Sequence, residues 1–344
     1  MKPFLIAVWA FFESAFQIVS GQTPTIERGI FLEDTSLLNA TLVLNMTKVL
    51  SHNNKKGFDI PGNFYTTLPD GTKVNDRILV EKRGHFRSNF CYVPPVKLIF
   101  NYNDSSVLCS LKSMKLVNVC KVSEDHEQFL FKEFLIYKIY NLLTDMSFRV
   151  RLVNVKWEDS LRKKKTMNEY GFLVEDLKDV AARNSCAEWK SNKLNTEQTD
   201  RKQMTMVAIF EYMIGNTDWA VSGNHNTRLI FSKEDNFRRP FVVPYDFDFS
   251  GLVNTYYSAP DAKLEIESVT QRLYRGYPRT MTEIQIVLDT FRKQKPNIYA
   301  LINNFNYLNQ KSKREMISFL NEFFQMVESP RMVQMTFIDK ARLE

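Results

Sequence analysis

Met114-Lys115-Leu116-Val117-Asn118-Val119-Cys120 alternates Lys115 with apolar neighbours, and three residues later the period of the chain changes. Ser123, followed by Glu124, Asp125 and Glu127, has the form of a helix start. Its hydroxyl can accept from free backbone N–H groups, and the acids face the positive end of the helix dipole. From Gln128 to Leu143, the residues Leu130, Phe134, Tyr137, Ile139 and Leu142 recur at helical spacing, which predicts a long amphipathic helix.

Upstream of this switch the pattern is strand-like. Thr41 to Leu44 is a short apolar run, Asp70-Gly71 is a hairpin turn signal, and Ile78 to Val80 continues beyond it. Val96 to Phe100 follows Pro94-Pro95 as a further strand. Downstream of the helix, Phe148 to Trp157 alternates again, and Tyr170 to Val174 is a short strand ending in Glu175-Asp176. Beyond about residue 176 helical spacing dominates: 198–214, which Gly215 can terminate, then 281–294, 297–304, 311–327 and 329–341. Loop and short strand fill 216–257. The expected architecture is α+β and two-lobed, with a β-rich lobe over 22–176 carrying one long helix and a mainly helical lobe over 177–344.

Composition sets the outer bounds. With 344 residues, 44% apolar and 25% charged, the chain is an ordinary globular one, which excludes disordered, collagen-like and coiled-coil classes. Only 11 glycines argue against an all-β protein built on tight turns. A net charge of +7 favours an anionic partner. No nucleic-acid motif or basic stripe with regular aromatics accompanies it, so nucleic acid is not expected.

Residues 1–21 combine Lys2, an apolar run from Phe4 to Phe12, and small residues at Val19 and Gly21. That is the form of a secretory signal peptide and predicts an exported protein, although Glu13 interrupts the apolar stretch. No later segment has the length of apolar sequence a membrane span needs. Cys91, Cys109, Cys120 and Cys186 contain no C-x-x-C pair, so a structural zinc site is not expected. An even count permits disulfides or buried thiols alike. Sequons begin at Asn39, Asn45 and Asn103.

The chemistry-bearing stretch runs from Gly215-Asn216-Thr217-Asp218-Trp219 to Asn224-His225-Asn226, then through apolar Thr227 to Phe231, to Pro244-Tyr245-Asp246-Phe247-Asp248-Phe249-Ser250-Gly251. Two acidic loops thus flank an expected β-hairpin. Phosphoryl transfer needs such a set: an Asp that orients the attacking hydroxyl, and an Asn with a second Asp holding Mg²⁺ on the phosphates of ATP. Asp218, then Asn224 or Asn226, then Asp246 or Asp248 have that order. In strand geometry Asp246 and Asp248 would face the same way and reach one metal cluster. The same residue types also build ordinary turns and caps.

The β-rich half offers partners for such a site. Lys115 or Lys97 sits on a strand before the long helix, and Glu133 shares that helix's apolar face, where a carboxylate is costly unless paired. The basic turn Lys82 to Arg87, with Arg83 and Arg87, can cover phosphates around Gly84. Glu175 lies where the chain enters its helical half, the place for a hinge against an adenine.

The R-G-x-F-R turn, the helix ending in Tyr-Asn-Leu-Leu-Thr, the G-F-L-V-E-D strand, the N-T-D-W…N-x-N loop and P-Y-D-F-D-F-S-G make the chain resemble uncharacterised exported Bacteroidetes proteins. Those in turn resemble the spore-coat CotH-type kinases, of atypical kinase fold. The likeness covers roughly residues 75 to 280. It implies Asp218 as catalytic Asp, Asn224 or Asn226 with Asp246 as Mg²⁺ ligands, Lys115 or Lys97 on the phosphates, and a protein or small-molecule acceptor. Asp218 is followed by Trp219 rather than by the Arg-His of several atypical kinases. A catalytically inactive, pseudokinase-like binding protein of the cell envelope or surface is the alternative.

Overall fold

The computed structural model describes residues 28–342 apart from 52–58, 84–90, 101–107, 192 and 236–237. The expected signal segment, Arg87, Gly84 and the sequon at Asn103 lie outside the described residues.

The protein is α+β. After a short helix α1 (Arg28–Glu33), seven strands form one closed barrel: β1 (Leu38–Leu44), β2 (Asp59–Thr67), β3 (Lys73–Lys82), β4 (Val96–Ile99), β5 (Ser113–Asn118), β6 (Val150–Asp159) and β7 (Met167–Val174). Helix α2 (Met46–Leu50) follows β1, and α3 (Glu124–Leu143) separates β5 from β6. The strand order is β1-β2-β3-β4-β5-β7-β6. Neighbours pair antiparallel except at the seam, where β1 runs parallel to β6 in the register Leu38↔Val153 to Leu44↔Asp159.

This closure corrects the expected architecture: the β-rich half is a closed seven-stranded barrel, not the small lobe of a two-lobed, atypical kinase-like fold. An open sheet would leave the edges of β1 and β6 unpaired, and closing the ring removes them. The inward faces of the strands make a core of their own. Leu38, Ala40, Leu42 and Leu44 alternate inward on β1 and meet Phe64, Ile78, Val80, Leu98, Leu116, Val155 and Trp157. Trp157 is fully buried and satisfies its indole by donating to Glu169 Oε1 at 2.7 Å. Each buried Leu, Ile, Val or Phe of this core contributes roughly 1.5–3 kcal/mol.

The remaining chain forms α4 (Leu177–Arg183), β8 (Cys186–Glu188), α5 (Arg201–Ile214), β9 (Thr227–Ser232), β10 (Phe241–Pro244), α6 (Met281–Asn303), α7 (Gln310–Val327) and α8 (Pro330–Val333), the last running on into a π-helical turn at Gln334–Asp339. β10, β9 and β8 make a small antiparallel sheet.

Ser123 caps α3 as expected, its Oγ accepting from His126 N–H at 3.4 Å. The helix is not amphipathic, however. Leu130 and Phe134 are buried, but so are Gln128, Lys132 and Glu133, because α3 packs on β6 and β7 and also against α6 and α7. It therefore belongs to a second core shared with the helical half, together with the outward-facing Val117, Leu152 and Phe172 of the barrel.

Helix α6 passes through Pro296 where two helices were expected. Its buried row Ile284, Leu288, Phe291, Ile298 and Ile302 continues across the proline, and that packing compensates the lost backbone hydrogen bond. Cys91 and Cys120 form a disulfide, while Cys109 and Cys186 are free thiols. No described helix is long and apolar enough to cross a membrane.

Candidate functional site

The expected hairpin is β9–β10, paired in the register Thr227↔Pro244 to Ile230↔Phe241. The first acidic loop begins where α5 ends at Gly215, whose φ of +68° caps the helix in the left-handed region. A Cβ there would lie 3.0 Å from Phe319 Cζ and 3.1 Å from Val269 O, so this cap requires glycine.

From that cap the loop is tied residue by residue. Buried Asn216 donates to Glu211 Oε2 at 2.9 Å and accepts from the backbone N–H of Asp218 at 3.0 Å. Arg275 donates to the carbonyl of Thr217, and to that of Trp219 at 2.8 Å, fixing the peptides on both sides of Asp218. The Asp218 carboxylate meets His225 Nε2 at 2.6 Å through Oδ1, and accepts from Asn226 Nδ2 at 2.9 Å through Oδ2. The same Nδ2 donates to Asp218 O at 2.7 Å. Both amide hydrogens of Asn226 are thus spent on Asp218, which leaves its oxygen Oδ1 for another partner.

Three of the expected site residues adopt left-handed backbone: Asn224 at φ +55°, Asn226 at +49° and Asp246 at +66°. Asn and Asp tolerate this region, and clusters of such residues mark sites where geometry is set by function.

The second loop is joined to the first by one backbone bond, Tyr245 N–H to Asn226 O at 3.0 Å. The next residue, Asp246, is held from the other side, its N–H donating to Tyr137 Oη of α3 at 2.9 Å. Hydrogen bonds therefore link Asp218 through Asn226 to Tyr245, the residue that precedes Asp246. The expectation that Asp246 and Asp248 face the same way is corrected: β10 stops at Pro244 and Asp246 is left-handed, so strand alternation does not reach them. Asp248 is buried instead, accepts from Tyr257 Oη at 3.3 Å, and lines a small cavity with Glu133, Asn118 and His126.

Lys115 of barrel strand β5 and Arg228 of β9 meet at Tyr245. Lys115 Nζ lies 5.1 Å from the ring centre and Arg228 Cζ lies 4.7 Å from it, so one ring serves two cations. Lys115 is pushed down to about 8 by burial, then by the like charges of Arg83 and Arg228, against the opposing pull of Asp176 and Asp246. Arg83 donates to Val96 O at 3.3 Å and Leu116 O at 3.5 Å, which holds it beside β4 and β5. Lys97 stands directly across the ladder from Lys115.

Two expected roles change. Lys115 and Glu133 form no ion pair; the carboxylates whose charge reaches Lys115 are Asp176 and Asp246. Glu175 is not free to meet an adenine with its side chain. It is buried, paired with Arg183 at 3.0 Å, and accepts from Arg149 N–H at 2.9 Å.

Glu211, His225, Arg228, Arg275 and Tyr137 were not foreseen as site residues. Arg228 had a signal, as the polar member of an alternating strand next to the Asn-rich loop. Tyr137 had none, because its hydroxyl meets Asp246 across more than a hundred residues of sequence.

Among the described residues no three of His, Cys, Asp and Glu form a group able to hold a metal ion. A Mg²⁺ on a nucleotide needs fewer protein ligands, since phosphates and waters complete its shell. Asn226 Oδ1 and the Asp246 carboxylate are oxygen donors of the kind such an ion takes, and the Asn224 Oδ1 is buried without a hydrogen-bond partner among the described residues. Neither a protein-family model nor a curated protein matches this chain.

Proposed function

We propose that the protein is an exported phosphotransferase that binds ATP with Mg²⁺ and passes a phosphoryl group to a hydroxyl of a protein or small-molecule acceptor. The observation that carries this reading is the run of hydrogen bonds from Asp218 through Asn226 to Tyr245, placed with Asp246 beside Lys115 and Arg228. Acids that can hold a metal and cations that can hold phosphates thus share one ring, Tyr245.

In this reading Lys115 and Arg228 take the phosphates, with Arg83 behind them. Asp246 and Asn226, with Asn224, hold Mg²⁺, which when bound neutralises charge on the phosphates. Asp218 orients the acceptor hydroxyl and takes its proton. His225 now occupies Asp218 Oδ1, and its ring is more than half exposed, so an acceptor can displace it outward. Lys115 is preferred to Lys97 because charge from Asp246 reaches it. The strand bearing Lys115 directly precedes α3, the order a phosphate-binding lysine and its helix require. The Cys91–Cys120 disulfide supports export, since such bonds persist in oxidising compartments.

A second reading, a pseudokinase-like surface protein that binds without transfer, draws on the unmade Lys115–Glu133 pair. Thermal unfolding with ATP, with and without Mg²⁺, tests the shared part. A ligand at a hundred times its Kd stabilises by about 2.7 kcal/mol, and that rise should require Mg²⁺ and vanish in Asp246→Ala. Equal stabilisation without Mg²⁺, or in Asp246→Ala, would sink the metal-nucleotide assignment. Mg²⁺-dependent binding with no ADP release towards any acceptor would favour the second reading.

A further inference from the structure

Against the face of α3 that carries Lys138, Asn141 and Leu142 lies a cavity of about 900 Å³, walled also by the link between α1 and β1, the turn after α3, and the end of α6 with the segment beyond it. None of its lining residues belongs to the Asp218 or Asp246 loops. The basic groups around it are mostly spoken for. Arg149 is paired with Glu33 at 2.8 Å, Arg151 with Asp34 at 2.6 Å, and Arg183 with Glu175 at 3.0 Å.

Lys138 is the exception. Its ammonium makes no hydrogen bond or ion pair among the described residues, and its nearest ring is Phe134, at 5.8 Å. Burial and the charges of Arg149 and Arg151 disfavour its protonated form, with Glu33 and Asp34 opposing them. The remaining acid of the wall, Asp145, is exposed. Lys138 is half-buried, and a partly desolvated cation without a direct partner, kept beside two guanidiniums, is destabilising. Part of the wall is apolar: Leu142, Leu301, Phe305 and Tyr307 are partly buried against the second core, among polar neighbours such as Asn141, Asn297 and Asn304. The volume falls within the range of small-molecule sites.

We propose that this cavity binds a small organic anion, a carboxylate with an apolar body, whose charge meets Lys138 and whose body packs on Leu142, Leu301 and Phe305. Such a ligand gives Lys138 the direct partner that the described residues do not supply, and it covers the apolar part of the wall.

The test compares the full chain with Lys138→Met in thermal unfolding, using acetate, hexanoate, 3-phenylpropionate and inorganic phosphate at matched ionic strength. Hexanoate and 3-phenylpropionate should raise the midpoint saturably in the parent, and Lys138→Met should weaken them at least tenfold. Acetate and phosphate, which lack the body, should do little. Without ligand, Lys138→Met should be as stable as the parent or more so. The proposal is overturned by no saturable response to the longer acids, by an equal response in Lys138→Met, by an equal response to acetate or phosphate, or by a ligand-free variant melting several degrees below the parent.

Discussion

Glu211→Gln is expected to gain stability over the parent as the pH rises from about 5 to about 8, by roughly 1.4 kcal/mol for each pH unit. Glu211 is 1% exposed, and burial pushes its carboxyl up to about 8; the nearby Asp218 charge adds to this, while the Asn216 hydrogen bond and Arg275 oppose it. In the unfolded chain the group titrates at its ordinary 4.5. Between those values the folded state holds a proton that the unfolded state has released. The carboxyl's contribution is thus fully present below the lower value and is lost as the pH rises through the upper one. Gln cannot ionise, and its carbonyl still accepts from Asn216 Nδ2. Denaturant titrations of both proteins across this range should diverge steadily, by several kcal/mol in all, and run parallel outside it. Parallel curves throughout would mean that Glu211 is ionised in the native state, so that Asn216 donates to a carboxylate rather than to a neutral carboxyl.

Asp218→Ala is expected to slow phosphoryl transfer by about 10²–10⁴-fold, the range for loss of a positioned proton acceptor. Nucleotide affinity should change far less. The Asn226 amide keeps its bond to the Asp218 carbonyl, which any residue at this position provides. Asp246 keeps its bond from Tyr137. The side chain is 40% exposed, so overall stability should shift by less than about 1 kcal/mol. Parallel measurement of ADP release and of nucleotide Kd separates these effects. Unchanged transfer in the variant would remove Asp218 from the chemistry. A loss confined to affinity would make it a support for Asn226 and nothing more.

Local chemistry made much of this molecule readable. Ser123 with its acidic first turn marks the start of α3, Gly215 ends α5, and the two acidic loops do flank a hairpin. What stayed hidden depends on contacts distant in sequence. The barrel is closed by β1 against β6, segments more than a hundred residues apart, and no local period announces a parallel seam. Strand β2 carries Pro61-Gly62-Asn63, turn residues that mask a strand the neighbouring strands impose. The alternation argument for Asp246 and Asp248 failed because a strand's period holds only while the strand lasts, and β10 ends at Pro244. Glu133 is buried on the face its spacing indicated, and it lines one small cavity with Asp248, which the sequence separation concealed. For Mg²⁺ the residue types in the sequence identified candidates, while the choice of Asn226 rests on which amide hydrogens Asp218 consumes.

The most direct test of the proposed site is a crystal structure of the full chain with Mg²⁺ and a non-hydrolysable ATP analogue. The account predicts a Mg²⁺ about 2.0–2.1 Å from an Asp246 carboxylate oxygen and from Asn226 Oδ1, with phosphates against Lys115 and Arg228 beside the Tyr245 ring. A nucleotide bound elsewhere, or bound here with its metal touching neither Asp246 nor Asn226, would contradict it.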